Sequence, residues 1–225
     1  MQKLKTTIKN NADIFMTGIC GIVYLVWFFI LEQKVTDNYH IIHVGLDDYI
    51  PFVEYFIVPY LLWFVYVFAV WAFLLFKDRE MFKKLSIFLF SGMFFSLFVC
   101  TIYPNGTDFR PVIDPEKNIF AFLVYKLYGI DTPTNVLPSI HVFNSIAVHI
   151  AILKSKCFEK KPVIKWGSLV LCISICLATV FLKQHSSVDV IAAGFLAYVV
   201  YGIVYEPVTE SGTGRILKTR KADNL

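Results

Sequence analysis

Lys183-Gln184-His185-Ser186-Ser187-Val188-Asp189 forms a polar knot between two long apolar runs, one ending at Phe181-Leu182 and the other beginning at Val190. Runs of this length cross a hydrocarbon core as helices of about 20 residues, so the knot is the short connection of a membrane hairpin. If the second run is helical from its start, His185 and Asp189 lie four residues apart on one face. A carboxylate so placed holds an imidazole in one tautomer and stabilises its positive form. Asp or Lys at the centre of a span costs roughly 2.5–3.5 kcal/mol, so ionisable groups this close to one usually carry a function. The competing reading is a loop solvated at the water interface, and the rest of the chain has to separate the two.

The whole chain shares this character. Of its 225 residues 57% are hydrophobic and 17% aromatic, with a mean hydropathy of +0.62. A soluble domain of this size has too little interior to hide that much apolar surface. The expected fold is all-α and polytopic, a single membrane domain over 1–225 with six transmembrane helices. Their expected spans are 14–31, 52–76, 85–103, 139–155, 166–182 and 187–205. The first is expected to be retained, because no small-residue cleavage site follows it and Trp27-Phe28-Phe29 suits an interface anchor. Between the third and fourth spans, the apolar stretch from Asn118 to Tyr128 is too short to cross and is expected to lie at the membrane surface as an interfacial helix. Residues 206–225 read as a mobile cytoplasmic tail.

Six spans put both termini on one side. Sixteen of the 21 Lys and Arg fall on that side, against Lys34, Arg110, Lys117, Lys126 and Lys183 on the other. The asymmetry places the termini in the cytoplasm, and the expected location is a plasma membrane, or an endomembrane in a eukaryote. Five cysteines show neither a disulfide framework nor a zinc spacing. His40 and His43 are three apart, but no third ligand stands at a matching distance, and they read as solvated loop histidines.

On the extracytoplasmic side the residues with chemistry in them fall together. Arg110 lies after the third span, Ser139 and His141 at the start of the fourth, Lys183 and His185 between the fifth and sixth, and Asp189 in the first turns of the sixth. They come from only two connections, so the residue types carry more weight than the placement. Those types suit phosphoryl transfer. Arg110 offers a planar fork to phosphate oxygens and Lys183 a point charge. Pro138-Ser139-Ile140-His141 reads as a helix entry, where free N–H groups and the helix dipole favour an anion. Two histidines serve both ends of an in-line displacement, one attacking phosphorus and one protonating the leaving oxygen. The carboxylate beside His185 marks it as the nucleophile and leaves His141 as the acid. Each residue also has a plainer reading: an interfacial anchor for Arg110, a cap for Ser139, a satisfied interface histidine for His141, a snorkelling chain for Lys183. His149, roughly 12 Å deeper than His141 in the same span, reads as structural.

Arg110-Pro111, then Pro138-Ser139-Ile140-His141, then His185-Ser186-Ser187-Val188-Asp189 resembles the type 2 phosphatidic acid phosphatase superfamily of membrane lipid phosphatases and phosphotransferases. The resemblance runs from about Ile50 to Tyr205 and includes the order, the gaps and the six-span layout. It implies a phosphohistidine on His185, support from Asp189, leaving-group protonation by His141, and phosphate held by Arg110 and Ser139. It implies no metal and no other cofactor. Two positions depart from the family pattern: Tyr103 stands where a lysine is usual, and Ala178-Thr179 where a Ser-Arg pair is usual. With Thr179 to His185 and Tyr103-Pro104, the chain looks more like the branch that includes inositol-phosphoryl-ceramide synthases. Lys183 is the candidate substitute for the missing cations.

The expected function is hydrolysis of a lipid phosphate ester or diphosphate at the outer membrane face. Transfer of a phospho-headgroup between lipids is the alternative within the same chemistry, and a non-catalytic lipid-phosphate carrier or scaffold the alternative outside it. The expected partners are a phosphorylated lipid and the surrounding membrane lipids, with no nucleic acid.

Overall fold

A computed structural model of the chain describes residues 11–36 and 38–206. The expected mobile tail, Glu206 apart, lies outside the described residues. Apolar runs become helices because a lipid core offers no water to the backbone, so each span must satisfy its own N–H and C=O groups. In chain order the helices are α1 (Ala12–Lys34), α2 (Gly45–Tyr49), α3 (Ile57–Lys77), α4 (Arg79–Ile102), α5 (Ile119–Tyr128), α6 (Ile140–Lys154), α7 (Pro162–Phe181) and α8 (Ser187–Tyr205). A 3₁₀ turn, Glu54–Phe56, leads into α3. Of the described helices, α1, α3 with that turn, α4, α7 and α8 are long and apolar enough to cross a membrane. The protein is therefore an all-α, multi-pass membrane protein. The fourth expected span, 139–155, forms a helix of 15 residues, about 22 Å at 1.5 Å per residue. It packs against α3, α4, α7 and α8 together.

Local chemistry sets the helix ends. Pro59 falls in the first turn of α3 and Pro162 at the start of α7, where the missing N–H would have had no helical partner. Asp78 caps α4 by accepting from Met81 N at 3.1 Å, and Asn118 caps α5 by accepting from Ala121 N at 2.9 Å.

Helices in lipid associate through close van der Waals fit and not through burial from water. Gly92 shows the fit: a Cβ there would overlap the Phe143 ring. Phe143 is itself buried, 5.2 Å from Phe88 between ring centroids. α1 is peripheral, with Tyr24 and Leu31 packed on Leu97 and Cys100 of α4. Its Phe15, Ile19, Ile22 and Val26 point outward, an apolar exterior that lipid accepts.

At the end of the bundle where α1 and α4 finish, three connections are stitched together. The short strands β1 (His40–Ile41) and β2 (Asn105–Gly106) pair in parallel, and Gly106 bridges Thr134. Gly106 is required by close approach, since a Cβ would overlap the Pro133 carbonyl oxygen. Asn105 is fully buried; its Oδ1 accepts from Val136 and Leu137 N–H at 3.0 and 2.9 Å, and its Nδ2 donates to the Tyr103 carbonyl at 2.7 Å. This clamp holds the segment that delivers Thr132 to Ser139 onto α6.

Candidate functional site

α7 ends at Phe181, and the chain reverses through Lys183, whose φ of 55° is the left-handed conformation that side chains rarely adopt. The N–H groups of Gln184 and His185 both return to the Thr179 carbonyl, at 3.0 and 3.1 Å. The tight turn delays α8 to Ser187, so His185 precedes the helix and does not share its face. The contact with Asp189 is made another way. Asp189 is the third residue of α8, and its Oδ2 accepts from Ser186 N–H at 3.0 Å and from His185 Nδ1 at 3.2 Å. A capping box thus replaces the helix-face pair expected from the spacing. Both partners are buried. With the Nδ1 proton on the carboxylate side, His185 keeps the lone pair of Nε2 for other use.

His141 sits in the first turn of α6. Its ring lies 4.5 Å from Tyr60 and 4.3 Å from Trp63, both of α3, and 5.8 Å from the His185 ring, centroid to centroid. The aromatic walls fix its plane. Arg110 arrives from the loop after α4. Its Nη1 donates to the Asp131 carbonyl at 2.6 Å, and its Nη2 to the Thr132 carbonyl at 2.9 Å and to Gln184 Oε1. Its guanidinium lies 4.7 Å over the Tyr128 ring. Burial pulls the Arg110 pKa down from its ordinary value, against the opposing charge of Asp131. Among the described residues Arg110 makes no ion pair, and its Nε is buried with no partner.

Gln184 is 1% exposed. Arg110 has only donors, so the amide oxygen must face it and the amide nitrogen must face away. That nitrogen has no partner either. Arg110, Gln184, His141 and His185 line one cavity of about 60 Å³, together with Glu32, Asp131 and residues of the 132–136 loop. The space admits a few waters or a small polar group.

Two residues expected at the phosphate are placed elsewhere. Lys183 is turned away from the cavity; its Nζ donates to the carbonyls of Asp47 and Ile50 at 2.7 and 2.5 Å and lies 5.5 Å over Phe109. A left-handed residue at the turn projects its side chain off the axis that carries Gln184 and His185, which is why neighbours in sequence part company here. Ser139 is fully buried as the α6 N-cap, accepting from Val142 N–H at 3.5 Å, and stands behind Ile140 and His141 instead of on the wall. The residues at the two positions that depart from the resembled pattern are buried or stacked away from the cavity. Tyr103 stacks on His40 at 4.3 Å, and Ala178 and Thr179 are fully buried. His149 bonds to Ser168 Oγ at 2.9 Å, away from the cavity. His43 pairs with Asp48 at 2.8 Å.

Several site residues carry no signal in the sequence. Glu32 reads as an ordinary charge at the end of a span, Asp131 as a loop acid, Gln184 as filler between Lys183 and His185. Asp47 lies in α2, and no local pattern marks it. Yet its Oδ2 accepts from Ser186 Oγ at 2.5 Å and its Oδ1 from Ser187 N–H at 2.8 Å. It thereby braces the turn that presents His185. Burial raises the pKa of Asp47, but the hydrogen bonds from Ser186, Ser187 and Val44 together outweigh it and hold the carboxyl below its ordinary value.

No family model, curated protein or solved structure matches the chain.

Proposed function

We propose that the protein is a membrane lipid phosphatase that works through a phosphohistidine on His185. The observation that carries this reading is the state of Arg110 and Gln184. A guanidinium nitrogen and an amide nitrogen, both buried and lacking acceptors, belong to residues that line the cavity holding two histidines. Buried donors without partners are costly, and phosphate oxygens satisfy both.

In this mechanism Nε2 of His185 attacks phosphorus while Asp189 holds Nδ1–H and supports the positive ring. The P–O bond to the lipid breaks, and His141 delivers the proton to the departing oxygen. Water then attacks phosphorus, returns a proton to His141 and frees His185. A lipid hydroxyl in place of water turns hydrolysis into headgroup transfer through the same phosphohistidine. A carrier without chemistry has no use for a tautomer-fixing carboxylate behind one histidine.

The same reading makes α6 the fourth of six spans. It lays α5 on the membrane surface, with both termini in the cytoplasm and the cavity opening to the extracytoplasmic side of a plasma membrane. The distribution of Lys and Arg supports this orientation. The test is a panel of phosphorylated lipids presented to detergent-purified protein, with free phosphate, phosphate esters and new phospholipids assayed in parallel. Turnover should fall by roughly 10²–10⁴-fold or more in His185→Ala and persist in His149→Ala. Wild-type protein that binds lipid phosphate with no product, and with no change in His185→Ala, sinks the enzyme in favour of a carrier.

A further inference from the structure

The cavity is charged wrongly for a bare phosphate. Its wall carries one guanidinium, Arg110, against two carboxylates, Glu32 and Asp131, and it has no lysine. Lys183, the cation expected to help, is spent on the 45–50 loop. A dianionic monoester placed on Arg110 would leave the chamber with a surplus of negative charge where screening is weak. Something positive on the ligand would restore the balance.

The acceptors are arranged for it. Asp131 is engaged by the Tyr60 hydroxyl at 2.9 Å. Glu32 is only partly engaged: Oε2 accepts from Thr132 Oγ1 at 2.5 Å and Oε1 from Asn135 Nδ2 at 2.8 Å. A carboxylate has about four lone-pair sites, so each oxygen keeps one. Beside it, Asn135 Oδ1 is buried and has no partner. Tyr24 and Phe28 stand two turns and one turn before Glu32 on the same face of α1, line the same cavity and stack at 6.1 Å. Carboxylate, amide oxygen and aromatic faces together are what an alkylammonium group seeks.

The geometry points to a second subsite in this cavity, in which Glu32, Asn135, Tyr24 and Phe28 receive a positively charged amine on the headgroup of a zwitterionic phosphodiester lipid. Arg110 and Gln184 take the phosphate oxygens. This rests on the phosphohistidine reading and names its substrate class. In the first step the His185 Nε2–P bond forms and the P–O bond to the lipid alcohol breaks, that oxygen taking a proton from His141. The aminoalkyl phosphate stays on His185. In the second step water, or a lipid hydroxyl, forms the new O–P bond, its proton passes to His141, and the N–P bond breaks.

Three soluble esters of nearly equal size test it on full-length protein in detergent micelles: 2-aminoethyl, 2-hydroxyethyl and propyl phosphate, titrated calorimetrically beside inorganic phosphate. The expected order is amine first, at least tenfold tighter than propyl, with hydroxyl between. The advantage should collapse in Glu32→Gln, which removes the charge and keeps the shape. Equal binding of the amine and propyl esters, or tightest binding of the hydroxyl ester, overturns the ammonium subsite while leaving the phosphate site standing. If none of the esters nor inorganic phosphate binds folded wild-type protein, the phosphohistidine reading falls and the subsite with it. Should Glu32→Gln fail to fold, the order of the esters on wild-type protein decides alone.

Discussion

Two arginines at opposite ends of α4 live in contrasting company. Arg79, at its start, donates through Nε and Nη2 to the Asp13 carboxylate at 2.6 and 2.5 Å, with Lys83 3.7 Å from the same group. The charges there satisfy one another at the edge of the bundle. Arg110, beyond the other end of the helix, is held by two backbone carbonyls and an amide oxygen, over an aromatic face, with one nitrogen buried and idle. Neutral acceptors position a guanidinium without cancelling its charge. The difference separates an ion pair that fastens two helices from a cation that no acidic side chain pairs among the described residues.

The largest difference is expected between the two arginines themselves. Arg110→Ala should lower kcat/KM on a lipid phosphate by roughly 10²–10³-fold, the usual cost of losing an aligned donor to developing charge. Arg79→Ala should leave turnover as it is and lower only the melting temperature, since a part-buried two-point ion pair between α1 and α4 is lost. Comparable losses of activity in both variants would end the distinction between the two ends.

A smaller effect is expected in the bundle between them. Gly92→Val forces the Phe143 ring to move and should cost about 1–3 kcal/mol on thermal unfolding. Gly194→Ala, with open space around it, should cost nothing. Equal stability of the two variants would mean that α4 and α6 do not meet as closely as Gly92 requires.

The smallest effect is at Asp47, a carboxylate as saturated as Asp13 but lodged at the cavity end. Its carboxyl lies below the ordinary value of 3.8, so its stabilising contribution is complete above that pH and is lost as pH falls through the lower folded value. Asp47→Asn should therefore melt below wild type at neutral pH, with the gap closing in acid below pH 3.8. A gap that stays constant down to the most acid pH the protein survives would show that the brace works through shape and not charge.

How much of this was readable beforehand follows from the reach of each signal. Hydropathy is a property of consecutive residues, so the apolar runs at 14–31, 52–76, 85–103, 166–182 and 187–205 marked helices whose ends moved by at most six residues. Arg110, His141 and His185 were distinguishable because their side-chain chemistry is uncommon beside apolar runs. Asp189 was correctly coupled to His185, but by the wrong geometry: four residues suggest a helix face, whereas the left-handed turn at Lys183 makes the pair part of a capping box. Lys183 and Gln184 exchanged the weights their chemistry assigned them. The charged residue was the obvious candidate, yet the turn sends it to the Asp47 and Ile50 carbonyls and leaves the neutral amide in the cavity.

The sequence by itself determined that this is a polytopic helical membrane protein, because the cost of exposing backbone and charge to lipid acts residue by residue along the chain. It also marked Arg110, His141 and His185 as polar residues out of keeping with the apolar runs beside them. Tertiary structure alone decided which of those side chains meet. Glu32 of α1, Asp47 of α2 and Asn135 of the loop before α6 come from distant parts of the chain, and their roles depend on hydrogen bonds closed across it. Whether a donor or acceptor is spent or free is a property of its neighbours in space, and no pattern along the chain encodes that.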